Sequence, residues 1–379
     1  MRIENGVIHT MLGPVIPSGF VSFREGKITD VGPMEACPKG DGETVYDAGG
    51  GHVTPGFVDA HCHLGMFQDG QRTEQGDANE FTDPVTPQLR AIDAIYPQDP
   101  SFREARLAGV TTVLTGPGSA NAIGGTFAAL KTRGDWVDEM LLSPHVSMKM
   151  ALGENPKQAH AQKNGPATRM STAALIRSTL ERAQEYDADR KREPPVPYEA
   201  RYSALLPVLH REMPIHVHAH RADDIATALR IAREYKLRCT IVHGTQGHLL
   251  ARHLRQAEVS VITGPCLLFP DKPELAGQSL ETPAKLHRAG VKIAICTDHP
   301  EVPIQFLPLC AAMGVRGGLE MEEALCAITR YPAEIAGLEQ RVGSLAKGLD
   351  ADLVVTDRHP LDWLAKVKAV WIDGTQVTE

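Results

Sequence analysis

Thr54-Pro55-Gly56-Phe57-Val58-Asp59-Ala60-His61-Cys62-His63 is the stretch on which the fold turns. A Pro-Gly turn leads into an apolar strand that ends in two histidines spaced two apart. Side chains alternate faces along a strand, so both imidazoles fall on one side. At the C-terminal mouth of a barrel they converge on one point, as ligands of a metal ion must. Two unrelated histidines in a turn would carry no such relation.

Outward from this strand the chain alternates apolar strands with amphipathic helices. Further strand candidates are Val110–Thr115, His145–Leu152, Pro214–His218, Cys239–His243, Val259–Thr263 and Val291–Thr297. Helical spacing puts Ala173, Ile176, Leu180 and Ala183 on one face. The same holds for Ile225, Ala228, Leu229 and Ala232, and for Met321, Ala324, Leu325 and Ile328. Strand–helix alternation over 53–338 predicts an α/β fold, a parallel (β/α)8 TIM barrel. Its eighth strand is expected in Thr126–Thr132 or Trp136–Leu142. Residues 165–213 exceed a normal barrel connection and read as a helical excursion, with an exposed loop at Asp187–Pro197. The ends differ in style. Gly6–Ile8, Gly19–Phe23, Gly26–Gly32, Asp352–Thr356 and Val367–Ile372, the last followed by Asp373-Gly374, are short β runs with turn punctuation. Residues 1–52 and 339–379 are therefore expected to meet in one small β-sandwich.

Composition narrows the class. With 39 basic and 47 acidic side chains the net charge is −8, and no basic stripe suggests a nucleic-acid partner. No window reaches 18 apolar residues, so no membrane helix is expected. Glu4 stands where a signal peptide needs its charged-then-apolar run, which predicts a cytoplasmic protein. Seven cysteines without a C-x-x-C pair read as reduced thiols, and Cys62 as packing.

The 16 histidines are the informative residues. In Ile215-His216-Val217-His218-Ala219-His220-Arg221 three share one face, and only those near the strand end reach the barrel mouth. That favours His218 or His220 as ligand, makes His216 a satisfied core histidine, and leaves His220 as a second-shell or substrate-facing group. His243 closes another apolar strand. Asp298 sits at the tip of a β-branched strand, a costly place for an unpartnered charge. Lys149, inside the apolar run Ser147–Leu152, either snorkels to the rim or points inward. Pointing inward and neutral, it can be carbamylated by CO2 into a metal-bridging carboxylate. Glu154 is the spare carboxylate otherwise. Gly116–Asn121, with Gly124-Gly125 behind it, lacks the ending of a nucleotide loop; its backbone N–H groups are expected to line the substrate pocket.

These residues resemble the metal-dependent amidohydrolase superfamily, in particular its imidazolonepropionase-related branch with Xaa-Pro and other metallo-dipeptidases. The likeness runs almost end to end: Gly26-Lys27-Ile28, Pro55–His63, Ala108–Val113, His218-Ala219-His220, His243-Gly244, Thr297-Asp298-His299 and Gly343–Val355. It implies a distorted eight-stranded barrel with a β-sandwich from both ends. It also implies two divalent metal ions, zinc by preference: His61 and His63 on one, His218 and His243 on the other, carbamylated Lys149 bridging them, and Asp298 as ligand and acid/base. Homo-oligomers are common among the resembling proteins.

The expected reaction is hydrolysis of a C–N amide bond in a dipeptide, an N-acyl amino acid or a cyclic amide, by a metal-bridging hydroxide with Asp298 moving the proton. Arg221 either clamps a substrate carboxylate or forms a structural salt bridge. The rival is a mononuclear imidazolonepropionase-like cyclic amidohydrolase or deaminase. In resembling deaminases a glutamate stands three positions after the fifth-strand histidine, where this chain has Arg221. A second rival is a scaffold that has lost its metal ligands, which predicts gaps in a ligand set that here has none.

Overall fold

The computed structural model describes residues 1–38, 44–67, 76–163, 165–194, 196–270 and 272–377. The chain opens with β1 (Arg2–Ile8), β2 (Ile16–Arg24), β3 (Lys27–Pro33), β4 (Val45–Asp47) and β5 (His52–Pro55). Eight strands follow: β6 (Phe57–Cys62), β7 (Val110–Thr115), β8 (Ile123–Lys131), β9 (Leu141–Ala151), β10 (Ile215–Ala219), β11 (Cys239–His243), β12 (Ser260–Thr263) and β13 (Ile293–Ile295). The chain closes with β14 (Leu353–Thr356), β15 (Val367–Ile372) and β16 (Thr375–Gln376).

The middle strands form one sheet in sequence order, curved into a nearly closed barrel. Backbone contacts bridge its seam: Asp298 N–H donates to the His61 carbonyl at 3.1 Å, and His63 N–H to that of His299 at 2.8 Å. One strand departs from the parallel expectation. β8 runs antiparallel to both β7 and β9. The reason is connection length. The links Gly116–Ala122 and Thr132–Met140 are shorter than the dozen or so residues a parallel crossover requires. β8 begins at Ile123, earlier than expected, and Trp136–Leu142 holds instead the short helix Val137–Met140 and the start of β9.

Both chain ends meet in the second sheet, ordered β16-β15-β14-β5-β1-β2-β3 with β4 also on β1. It is one sheet curled on itself, so that its two ends pack over a shared core as the expected sandwich does. Phe23 on β2 and Trp371 on β15 lie 6.1 Å apart by ring centroid, although β14, β5 and β1 stand between them in the sheet order. Burying Trp371 completely is the apolar gain that draws the two edges together. The Asp373-Gly374 turn takes φ of 50° and 71°, as a tight right-twisted hairpin requires. Lys131, at the end of β8, ties the sheets: its buried ammonium lies 2.6 Å from Asp352 and 3.0 Å from Asp350.

The excursion is helical. Arg169–Asp189 is capped by Thr168, which accepts from Ser171 N–H, and it buries Ala173, Ile176, Leu180 and Ala183. Its charged loop starts at Arg190, because Asp187 still belongs to the last turn. Helix Ala222–Glu234 buries Ile225, Ala228 and Ala232, while Leu229 is half-buried. Met321 opens its helix and is 45% exposed, outside the buried face predicted for it. Among the described residues no helix is long and apolar enough to cross a membrane.

Candidate metal centre

The C-terminal ends of the barrel strands deliver the site. β6 carries His61 and ends beside His63, β9 carries Lys149, β10 carries His218 with His220 just beyond, β11 ends at His243, and Asp298 follows β13. All of the imidazoles are buried. Ligand-capable atoms of His61, His243 and Asp298 lie within 4.8 Å of one another, and so do those of His218, His220 and His243. His243 therefore belongs to two adjoining triads.

Second partners fix the rings. The His63 Nδ1 donates to the Gly116 carbonyl at 2.6 Å, and that of His243 to the Gly264 carbonyl at 2.7 Å. The His220 Nδ1 meets Thr245 Oγ1 at 2.8 Å. With the Nδ1 proton committed outward to a carbonyl in His63 and His243, each Nε2 lone pair is left facing the centre, as it is in metal-bound imidazoles. Asp298 Oδ1 lies 3.3 Å from His63 Nε2 and 3.4 Å from His61 Nε2 and, among the described residues, is left without a well-formed hydrogen bond. Among the described residues His61 Nδ1, both nitrogens of His218 and Glu274 Oε1 are also buried without a hydrogen-bond partner. Buried polar atoms left in this state cost about 1–3 kcal/mol each. A cation bound among them would satisfy them, so the residues fit a metal.

Electrostatics agrees. Burial drives His61, His218 and His243 well below the usual histidine range, which keeps them neutral and able to coordinate. Burial also lowers the Lys149 amine to about 8, against the opposing pull of Asp298, and its Nζ lies 3.1 Å from His61 Nε2. Lys149 thus points inward. Burial raises the Asp298 carboxyl, but the neighbouring His243 and His63 rings and the Lys149 amine outweigh it and hold the group at about 2. His243 and Asp298 both sit in the left-handed region, at φ 72° and 53°. Strain of this kind, on two residues that converge on one point, belongs to functional sites.

Other predicted residues fall elsewhere. His216 is buried one layer below, 6.3 Å from the Phe127 ring, with neither nitrogen bonded, so it is not the satisfied core histidine expected. Arg221 is paired with Asp223 through two bonds of 3.0 and 2.9 Å and lines a separate surface depression. Its observed role is the structural salt bridge. Glu154 faces Arg169 at 3.9 Å. Gly118, Ser119 and Ala120 line the cleft, yet the Gly118 N–H is engaged by the Ala78 carbonyl and that of Ala120 by Asn79. The cleft above the centre encloses about 510 Å³.

The profile of the Amidohydrolase family matches residues 52–377. The chain belongs to that family. It is a hydrolase acting on carbon–nitrogen bonds, in a family that is generally metal-dependent. An amidohydrolase, tasK, from Hapsidospora irregularis is 32% identical over 94% of this chain, which spans 39% of that relative's length. An imidazolonepropionase from Acidiphilium cryptum is 25% identical over 92% of this chain and 89% of its own. The crystal structure of an amidohydrolase from Thermotoga maritima MSB8 superposes with a TM-score of 0.95 at 39% identity, covering 100% of this chain and 99% of that one.

Two carboxylates of this amidohydrolase went unnoticed in the sequence. Asp59 is fully buried and accepts from Thr297 N–H and from His61 N–H, both at 3.1 Å. Burial raises its carboxyl to about 7 against those bonds. The signal was present, because Asp59 shares the strand parity of His61 and His63. Glu274 is fully buried, with Oε1 3.9 Å from His218 Nε2 and 4.0 Å from His220 Nε2. Its other oxygen accepts from Glu154 N–H. Glu274 lies in a loop with no periodicity, so no pattern could announce it.

Proposed function

We propose that this amidohydrolase hydrolyses the C–N amide bond of a small substrate, a dipeptide, an N-acyl amino acid or a cyclic amide, with two divalent metal ions. Nitrogen-rich neutral donors beside a carboxylate favour zinc. His61 and His63 would hold one ion, His218 and His243 the other, with Asp298 as ligand and Lys149, carbamylated at Nζ, between them. One observation carries this reading: a buried lysine amine, lowered to about 8, placed 3.1 Å from an imidazole nitrogen. Carbamylation needs a neutral amine, and converting it to a carboxylate replaces a donor beside His61 with metal-ligating oxygens.

Bound at these side chains, the ions supply Lewis acidity that lowers the pKa of water and polarises the scissile carbonyl. Asp298 takes the proton of the attacking water at a carboxylate oxygen and returns it to the leaving nitrogen. Its carboxyl, held at about 2, is ionised before the proton arrives. The Gly116 and Gly264 carbonyls hold His63 and His243 in the coordinating tautomer.

A mononuclear reaction, that of a cyclic amidohydrolase or deaminase, is the second reading. His220 favours it, since with His218 and His243 it completes a three-imidazole set. Glu274 then stands as the proton-carrying carboxylate that Arg221 cannot be.

The test is turnover on a panel of dipeptides, N-acyl amino acids, cyclic amides and aminated ring bases, with metal-loaded and chelator-stripped protein. Amide hydrolysis that vanishes on stripping, and falls roughly 10²–10⁴-fold in kcat for Asp298→Asn, is expected. Full kcat in that variant contradicts the acid/base role, and deamination alone selects the second reading.

A further inference from the structure

The chemistry above leaves one cationic side chain of the cleft without a role among the described residues. Lys272 lies in the loop between β12 and helix Thr282–Arg288 and lines the cleft together with His63, His218, His220 and Asp298. It is half-buried, and its ammonium has no ion pair or hydrogen bond among the described residues. The other cations near the centre are engaged. Lys149 touches His61, Arg169 donates twice to Asp224, and Arg221 is closed on Asp223.

Lys272 is held rather than loose. Pro273 restricts it to extended backbone, and it has φ −121° and ψ 145°. Its carbonyl accepts from Leu275 N–H at 3.0 Å, opening the short helical turn Pro273–Leu275. Two residues on, buried Glu274 anchors that turn against His218, His220 and Glu154 N–H.

A half-buried, unpaired ammonium on a restrained backbone beside a hydrolytic centre suits an anion delivered by the substrate. We infer that Lys272 is the subsite for a substrate carboxylate, so that the substrate is an anionic amide, a dipeptide or an N-acyl amino acid, rather than a neutral ring amide. The inference rests on the amide-hydrolase reading above and narrows it. Arg221 was the sequence's candidate for this task, and Lys272 takes it over by position.

The experiment compares acids with their carboxamides, using a panel of dipeptides and N-acetyl amino acids on metal-loaded protein. Turnover and calorimetric binding are both measured. Wild type is expected to prefer the acids. Lys272→Met should weaken them roughly 10–100-fold in KM or Kd, the worth of one charge-assisted bond, with kcat held within a few-fold and carboxamides unmoved. Lys272→Arg should restore most of the preference, which a merely structural role would not produce. Equal handling of acids and carboxamides by wild type, no binding of either, or a preference that survives in Lys272→Met overturns the assignment. Acid-selective binding without any turnover keeps Lys272 as the subsite and overturns the hydrolase reading instead.

Discussion

Two histidine clusters stand in this molecule, and they differ in one respect. At the junction of the curled sheet and the barrel, His9, His52, His359 and Glu322 form a chain of contacts. Leu361 N–H donates to His359 Nδ1 at 3.2 Å, so the His359 proton sits on Nε2 and faces Glu322 Oε1 at 3.4 Å. The His9 Nδ1 donates to the other Glu322 oxygen at 3.1 Å, which leaves its Nε2 to accept from His52 Nδ1 at 2.8 Å. The donors and acceptors close on themselves with every imidazole neutral. At the barrel mouth they do not close. Among the described residues His61 Nδ1, both nitrogens of His218, Glu274 Oε1 and Asp298 Oδ1 remain unbonded. Both clusters hold ligand-capable atoms within 4.8 Å, so proximity does not separate a binding site from a structural one. Hydrogen-bond satisfaction does.

That contrast breaks most visibly under paired substitution. His218→Leu removes an unbonded buried imidazole. Metal-free protein should then unfold within about 1 kcal/mol of wild type, or above it, while bound metal falls. His9→Leu removes a bonded one and leaves Glu322 and His52 short of a partner. It should cost about 1–3 kcal/mol with metal content unchanged. Denaturant titration with metal analysis reads both, and equal stability losses would mean that the clusters are alike.

A smaller effect follows from protonation. Burial lowers His52 from 6.5 to about 4; the nearness of His9 and His359, where a further proton would be repelled, adds to it, and Glu322 opposes it. The unfolded chain takes up a proton near 6.5 that the folded chain refuses until about 4. Stability attributable to this group is intact above pH 6.5 and declines as pH falls from 6.5 to 4. Melting temperatures of metal-free wild type and His52→Gln over that range check it, and the variant should show the shallower slope. Parallel curves would remove His52 from the account.

Much of this was legible in the sequence, for identifiable reasons. Val110–Thr115 and Cys239–His243 begin and end where expected because β-branched apolar runs there stop at glycine. Parity alone put His61 and His63 on one face. β8 was blurred because it starts through Gly124-Gly125 and because its antiparallel sense is set by the lengths of its links, which strand patterns do not encode. Glu274 and Lys272 sit in a loop, where position comes from tertiary packing. His9, His52 and His359 lie far apart in the chain, and only the curled sheet gathers them. Arg221 stayed open between a substrate clamp and a structural salt bridge because its partner Asp223, two residues on, is indistinguishable in sequence from a solvated acid.

The most direct test is metal content per chain at each cluster, on protein purified without added metal, with intact mass in parallel. About two ions per chain are predicted, lost in Lys149→Ala and His218→Leu but kept in His9→Leu, with a mass gain of about one CO2 on wild type that is absent from Lys149→Ala. No metal in wild type, or metal that departs with His9 rather than with His218, would contradict the account.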